Sequence, residues 1–130
     1  MLIYVIDDDP IEGHFLEGLI EQHWPDKEYQ FLSFLSLEDY ERLGAGACPD
    51  LIFIDRNLPS VSSFSQTWEV IGKRLKGAVV VLLSAALNDY SPIALEGAEL
   101  VFGPIEKIAL TDDDIILEIL AAVEAKRNSQ

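Results

Sequence analysis

Five short apolar runs alternate along this chain with stretches in which apolar residues recur at three- and four-residue spacing. The alternation is typical of a parallel β-sheet that carries helices on both faces. Two runs, residues 51–54 and 78–83, are continuously apolar, as expected for central strands. The predicted strands are residues 2–6, 29–35, 51–54, 78–83 and 100–102. We therefore expect a doubly wound, flavodoxin-like α/β fold with strand order 2-1-3-4-5.

The first helix has a clear predicted start. Asp9 is placed as the N-cap and Pro10 at the first helical position, and Glu12 stands where a capping box needs its acidic residue. The apolar residues that follow have helical spacing and predict the buried side of the helix. They are Ile11, Phe15, Leu16, Leu19 and Ile20.

Four further helices are predicted from capping signals and apolar spacing. The second begins after Ser36 and ends at Gly44, the third ends at Gly77, and the fifth is capped by Thr111. The fourth is expected to be hardly more than one turn, because Gly97 follows five residues after Pro92. The predicted buried residues are Leu37, Tyr40 and Leu43, then Phe64, Trp68, Ile71 and Leu75, and finally Ile115, Ile116, Ile119, Leu120 and Val123.

Length and charge narrow the function. The 130 residues fit one domain, here residues 1–130 with a frayed tail at about 127–130. The net charge of −14 argues against binding nucleic acid or an anionic membrane. Cys48, the one cysteine, has no partner for a disulfide, and no stretch resembles a signal peptide or a membrane span. We expect a cytoplasmic protein.

Polar residues follow three of the predicted strands. Asp7 and Asp8 come after the first, Asp55 after the third and Ser84 after the fourth. Strand order 2-1-3-4-5 sets these strands side by side, so their carboxyl ends meet at one crevice. Clustered carboxylates repel one another, and oxygen ligands suit Mg²⁺. Singly, Asp9 is explained as an N-cap, Asp55 as a turn residue and Ser84 as a loop hydroxyl, but together these residues predict a magnesium site beside Asp55, a nucleophile toward phosphorus.

At these residues the chain resembles the receiver domains of two-component response regulators, the CheY-like family of bacterial signalling. Residues 3–10 (IYVIDDDP) resemble the family's first strand with its acidic pair, and residues 49–59 (PDLIFIDRNLP) resemble its phosphoacceptor strand. The resemblance implies that Asp55 is the phosphoacceptor and that Asp7, Asp8 and the backbone carbonyl of Asn57 join it as ligands of Mg²⁺. It also implies that Ser84 contacts the phosphoryl group.

The chain departs from the family at three places. Gly103 stands where the family has a lysine before a proline, and either Lys107 or Arg56 is a candidate to replace that charge. Leu100 stands at the position of the family's aromatic switch residue. Ser63 stands where a glycine usually ends the turn after the acceptor strand.

The resemblance implies a receiver that takes a phosphoryl group from a histidine kinase or a histidine phosphotransfer protein. Its catalysis would be limited to its own phosphorylation and dephosphorylation. It would signal through a downstream protein target, and homodimer formation is left open. One alternative is a pseudo-receiver, an interaction module without regulated phosphorylation. Another is a phosphatase of the haloacid-dehalogenase type, in which Asp7 is the nucleophile; the chain lacks convincing equivalents of that family's lysine and late acidic pair.

Overall fold

The computed structural model describes residues 1–55, 64–75, 77–84 and 100–129. Strands and helices alternate as predicted from residue 2 to residue 84. The elements are β1 (Leu2–Ile6), α1 (Pro10–His23), β2 (Gln30–Phe34), α2 (Leu37–Leu43), β3 (Leu51–Asp55), α3 (Phe64–Ile71), β4 (Val79–Ser84), β5 (Leu100–Glu106) and α4 (Asp113–Asn128). Short 3₁₀ helices follow α3 at Gly72–Leu75 and β5 at Lys107–Thr111. The predicted fifth helix is therefore α4.

The five strands form one parallel sheet in the order β2-β1-β3-β4-β5, which confirms the predicted fold. Alternate residues of each strand point to opposite faces. Tyr4 and Ile52 pack on the face covered by α2 and α3, whereas Ile3 and Phe53 pack on the face covered by α1 and α4. β3 and β4 are buried along their whole length, as their uninterrupted apolar sequences predict.

β5 is longer than the predicted residues 100–102. The pairing with β4 joins Val81 to Phe102 and then Leu83 to Ile105, so that two residues of β5 lie opposite one residue of β4. This irregularity is a β-bulge, and Gly103 has a φ of 105° within it. The bulge absorbs the extra residue, so the strand continues past Pro104 to Glu106.

The N-caps are confirmed in part. The side chain of Asp9 accepts a hydrogen bond of 2.9 Å from the amide of Ile11, as an N-cap should. The predicted capping box is wrong, because the amide of Asp9 donates to Oδ1 of Asp7 at 2.9 Å instead of to Glu12. Asp7 lies closer along the chain and takes this donor.

The predicted cap of the last helix is also wrong. Asp112 is the N-cap of α4, and its side chain accepts from the amide of Asp114 at 2.9 Å. Thr111 ends the preceding 3₁₀ helix and donates its hydroxyl to the carbonyl of Ile108 at 2.7 Å. α2 does begin and end as predicted, with Ser36 as its N-cap and Gly44 as its C-cap.

Some predicted core residues lie at the surface. Leu16 and Ile20 of α1 are fully buried, but Ile11 is 73% exposed and Phe15 is 36% exposed. Leu43 of α2 is 68% exposed. Each of these helices buries a narrower stripe than its apolar residues suggest, because only the side that rests on the sheet is covered.

The predicted fourth helix, with Pro92 and Gly97, lies outside the described residues. Ser63 lies outside them as well. In the part of the chain that the structure describes, no helix has the length and apolar character needed to traverse a bilayer.

Candidate metal and phosphoryl site

The carboxyl ends of β1, β3 and β4 meet at one edge of the sheet and carry the predicted polar residues. Asp7 follows β1 directly, Asp55 is the last residue of β3, and Ser84 is the last residue of β4. β3 lies between β1 and β4, and Asp55 pairs with Leu83, the residue before Ser84. The parallel register therefore brings all three residues to the same end of neighbouring strands.

Three carboxylates come together here. One oxygen from each of Asp7, Asp8 and Asp55 lies within 4.8 Å of the other two. Asp7 is fully buried and Asp55 is 4% exposed, whereas Asp8 is exposed. The cluster thus has two buried members and one that faces solvent, which leaves a path for an ion to enter.

The backbone fixes the position of Asp7. Its amide donates to the carbonyl of Phe34 on β2 at 3.0 Å, and its Oδ1 accepts from the amide of Asp9 at 2.9 Å. Burial raises the pKa of the Asp7 carboxyl, and the charge of Asp55 raises it further, although Lys107 and the Asp9 amide act in the opposite direction. An ionised Asp7 therefore needs a nearby cation.

Lys107 supplies the ammonium group of the site. Its Nζ lies 2.7 Å from Oδ2 of Asp7 and 3.3 Å from Oδ2 of Asp55, and the side chain is 21% exposed. Burial alone would lower the pKa of Lys107, but the close ion pair with Asp7 and the charge of Asp55 outweigh it and raise the pKa above its usual value. The sequence left Lys107 and Arg56 as alternatives, and the structure brings Lys107 into the site.

The β5 bulge explains how Lys107 arrives there. Beyond the bulge the strand pairs Glu106 with Ser84, so the next residue begins at the level of the strand-end carboxylates. By the resemblance, the position of the family's lysine before a proline falls on Gly103, which lies inside the strand and has no side chain. A glycine before a proline near a strand end could have signalled a bulge.

Glu12 is a residue of the site that the sequence predicted only as a helix cap. Its Oε1 is buried and has no hydrogen-bond partner among the described residues. Burial raises the pKa of the Glu12 carboxyl, while the ammonium of Lys107 opposes this most strongly among the neighbouring charges. Asp7, Asp9 and Asp55 raise the pKa further. Glu12 is thus electrostatically part of the cluster, although no sequence spacing indicated it.

Four of the predicted site residues lie at this edge of the sheet. Asp7, Asp8 and Asp55 are brought together, and Ser84 is buried with 1% exposure at the end of the adjacent strand. Asn57 lies outside the described residues. So does Arg56, the other candidate for the missing lysine.

The donor set of this site fits Mg²⁺. Without Glu12, the three candidate ligand carboxylates and one ammonium give a formal charge of −3 + 1 = −2, which attracts a divalent ion. All the candidate ligands are hard oxygen atoms, which Mg²⁺ prefers, and Asp8 is exposed to the solvent from which Mg²⁺ retains waters.

Several solved structures are similar to this chain in fold. The chain is similar to the N-terminal domain of a response regulator/sensory box/GGDEF protein from Carboxydothermus hydrogenoformans, with 20% identity, a TM-score of 0.69 and all of both chains covered. It is also similar to a CheY-like receiver domain from Methylobacillus flagellatus, with 22% identity, a TM-score of 0.63 and coverage of 92% and 98%.

A third similar structure is the response regulator TrrA from Thermotoga maritima, solved with Mg²⁺ and BeF. Its identity is 20% and its TM-score is 0.62, with coverage of 94% of this chain and 97% of that one. No family model matches the sequence, and no curated protein matches it. These similar structures therefore show the fold of the chain.

Proposed function

We propose that this chain, which has the fold of response-regulator receiver domains, accepts a phosphoryl group on Asp55 in a reaction that requires Mg²⁺. The donor would be the phosphohistidine of a histidine kinase or of a histidine phosphotransfer protein. The output would pass through contacts with a downstream protein target.

The observation that carries this proposal is the buried carboxylate of Asp55 at the end of a central strand, with oxygens of Asp7 and Asp8 within 4.8 Å. A lone carboxylate is a weak nucleophile toward a phosphoryl group, because both are negatively charged. Neighbouring cations remove that repulsion, and this site has ligands for one cation and already holds another in Lys107.

Each residue has a distinct role in the proposed reaction. Asp55 would form the new oxygen–phosphorus bond as the donor's nitrogen–phosphorus bond breaks. Asp7, Asp8 and Asp55, with the carbonyl of Asn57 added by the resemblance, would hold Mg²⁺, whose chemistry is to neutralise charge on the phosphoryl oxygens. Ser84 would donate its hydroxyl to a phosphoryl oxygen, and Lys107 would pair with another.

The test is phosphorylation with a small donor. The protein is incubated with Mg²⁺ and acetyl phosphate, and its intact mass is measured. We expect one phosphoryl adduct that disappears in Asp55→Asn and in the presence of EDTA. Asp26→Asn, an exposed aspartate in the turn after α1, is the control and should retain the adduct. An adduct that persists in Asp55→Asn would contradict the proposal.

A second candidate is a pseudo-receiver that binds partners without regulated phosphorylation. The contacts of Lys107 with Asp7 and Asp55 favour it, because they stabilise the cluster without any metal ion. Absence of an adduct in the wild-type protein, together with unaltered thermal stability when Mg²⁺ is added, would favour this candidate over phosphorylation.

A further inference from the structure

Lys107 contacts two of the carboxylates that would bind a divalent ion. Its ammonium contacts Asp7 at 2.7 Å and Asp55 at 3.3 Å, and both carboxylates belong to the predicted ligand set. A dication drawn to the same oxygens would repel the ammonium at short range. Metal binding therefore requires Lys107 to give up at least its shorter contact, the one with Asp7.

A displaced ammonium that is largely buried needs another acceptor. The side chain of Lys107 is 21% exposed, so it does not reach bulk water freely from its present position. Leaving a partly buried charge without a partner is costly. The flexible four-carbon stem of a lysine allows its nitrogen to change partners while its backbone stays in place.

Glu12 offers the acceptor. Its Oε1 is buried and has no hydrogen-bond partner among the residues that the structure describes. The residue lies in the first turn of α1, immediately after the loop that carries the acidic pair. Glu12 lacks the hydrogen bond of a capping box because the amide of Asp9, which would donate to Glu12 in that motif, donates to Asp7 instead.

We propose that Glu12 is a positioning residue, which receives the ammonium of Lys107 when a divalent cation occupies the carboxylates of Asp7, Asp8 and Asp55. This inference rests on the metal site of the proposed function. In the metal-free protein Lys107 holds carboxylates that the cation would bind, and Glu12 reduces the cost of displacing its ammonium.

The test is a double-mutant cycle on Mg²⁺ affinity, measured by calorimetry without any phosphodonor. Lys107→Met removes the competing ammonium and should raise the affinity, on the order of tenfold. Glu12→Gln should lower the affinity of the wild-type background about fivefold, because the displaced ammonium loses its acceptor. In the Lys107→Met background the same substitution should have less than about a twofold effect.

The cycle separates this role from simple attraction between Glu12 and the metal ion. Plain attraction would make Glu12→Gln equally damaging with or without Lys107, and that additive result would overturn the inference while leaving the metal site intact. Glu21→Gln removes the same charge from an exposed position of α1 and should change the affinity little in either background. Failure of the wild type and of all variants to bind Mg²⁺ would overturn both the inference and the proposed metal site.

Discussion

Glu106 pairs with Ser84 in the sheet, and the register between β4 and β5 shifts by one residue at the bulge that precedes this pair. If the register of Val81 and Phe102 continued without a bulge, Ser84 would lie opposite Ile105, and Lys107 would begin one residue farther beyond the strand-end carboxylates. The bulge therefore sets the position of the cation that contacts Asp7 and Asp55.

Substitution of Gly103 should disturb this arrangement. Its φ of 105° is strained for any residue with a side chain, and an added Cβ would lie 2.6 Å from the carbonyl oxygen of Leu82 and 2.8 Å from the nitrogen of Ile105. We expect Gly103→Ala to lower the free energy of unfolding by about 1–3 kcal/mol, measured by urea denaturation. Gly18→Ala, in open space on α1, is the control and should be neutral or stabilising. Equal effects of the two substitutions would contradict this account of the bulge.

Asp7→Asn should stabilise the metal-free protein in a way that depends on pH. The pKa of Asp7 in the folded protein lies above its ordinary value of 3.8, so the folded state binds this proton more tightly than the unfolded state. The stability that Asp7 contributes is therefore lost as pH rises from 3.8 through the raised pKa. Above that interval we expect the variant to be more stable than the wild type by about 1–3 kcal/mol, and at lower pH the difference should vanish.

The measurement is denaturant unfolding in EDTA across this pH range. Asp8→Asn serves as the control, because Asp8 is exposed and its substitution changes the local charge without relieving a buried one. Added Mg²⁺ should raise the melting temperature of the wild type more than that of Asp7→Asn. An Asp7→Asn variant that is less stable at neutral pH in EDTA would show that the Lys107 contact outweighs the cost of burying Asp7.

The strands, their order and the meeting of Asp7, Asp8 and Asp55 were all predictable from sequence. Continuous apolar runs mark buried parallel strands, and strand order then dictates which strand ends are neighbours. The position of Lys107 was missed because it depends on a bulge between β4 and β5, which Gly103 before Pro104 could have signalled. Glu12 was missed as a residue of the site because the competition between Asp7 and Glu12 for the amide of Asp9 is a feature of the folded chain.

The exposed apolar residues of α1 show a second limit of sequence reasoning. Ile11 and Leu16 are both apolar and both fit helical spacing, yet Ile11 is 73% exposed and Leu16 is fully buried. We expect Leu16→Ala to cost about 2–5 kcal/mol of unfolding free energy, because it leaves a cavity under the sheet. Ile11→Ala should change stability by no more than about 0.5 kcal/mol. Thermal unfolding of the two variants provides the comparison, and similar losses would mean that Ile11 is covered in solution.

Two tyrosines in one aromatic cluster differ in whether the hydroxyl is hydrogen-bonded to a described residue. The rings of Tyr4 and Tyr40 lie 6.0 Å apart, and both pack edge-on against Phe34. The hydroxyl of Tyr4 donates to the carbonyl of Gly44 at 2.9 Å, whereas the buried hydroxyl of Tyr40 has no partner among the described residues. Burial raises the pKa of both hydroxyls, so each remains protonated at neutral pH.

Replacement by phenylalanine removes only the hydroxyl and keeps the packing of the ring. Tyr4→Phe should lower the free energy of unfolding by about 1 kcal/mol or more, because it removes a buried hydrogen bond and leaves the carbonyl of Gly44 without that donor. Tyr40→Phe should be neutral or stabilising by up to about 1 kcal/mol, because the hydroxyl that it removes is desolvated without compensation. Urea denaturation of the two variants gives the comparison directly. A Tyr40→Phe loss as large as that of Tyr4→Phe would show that an ordered water bonds the Tyr40 hydroxyl in solution.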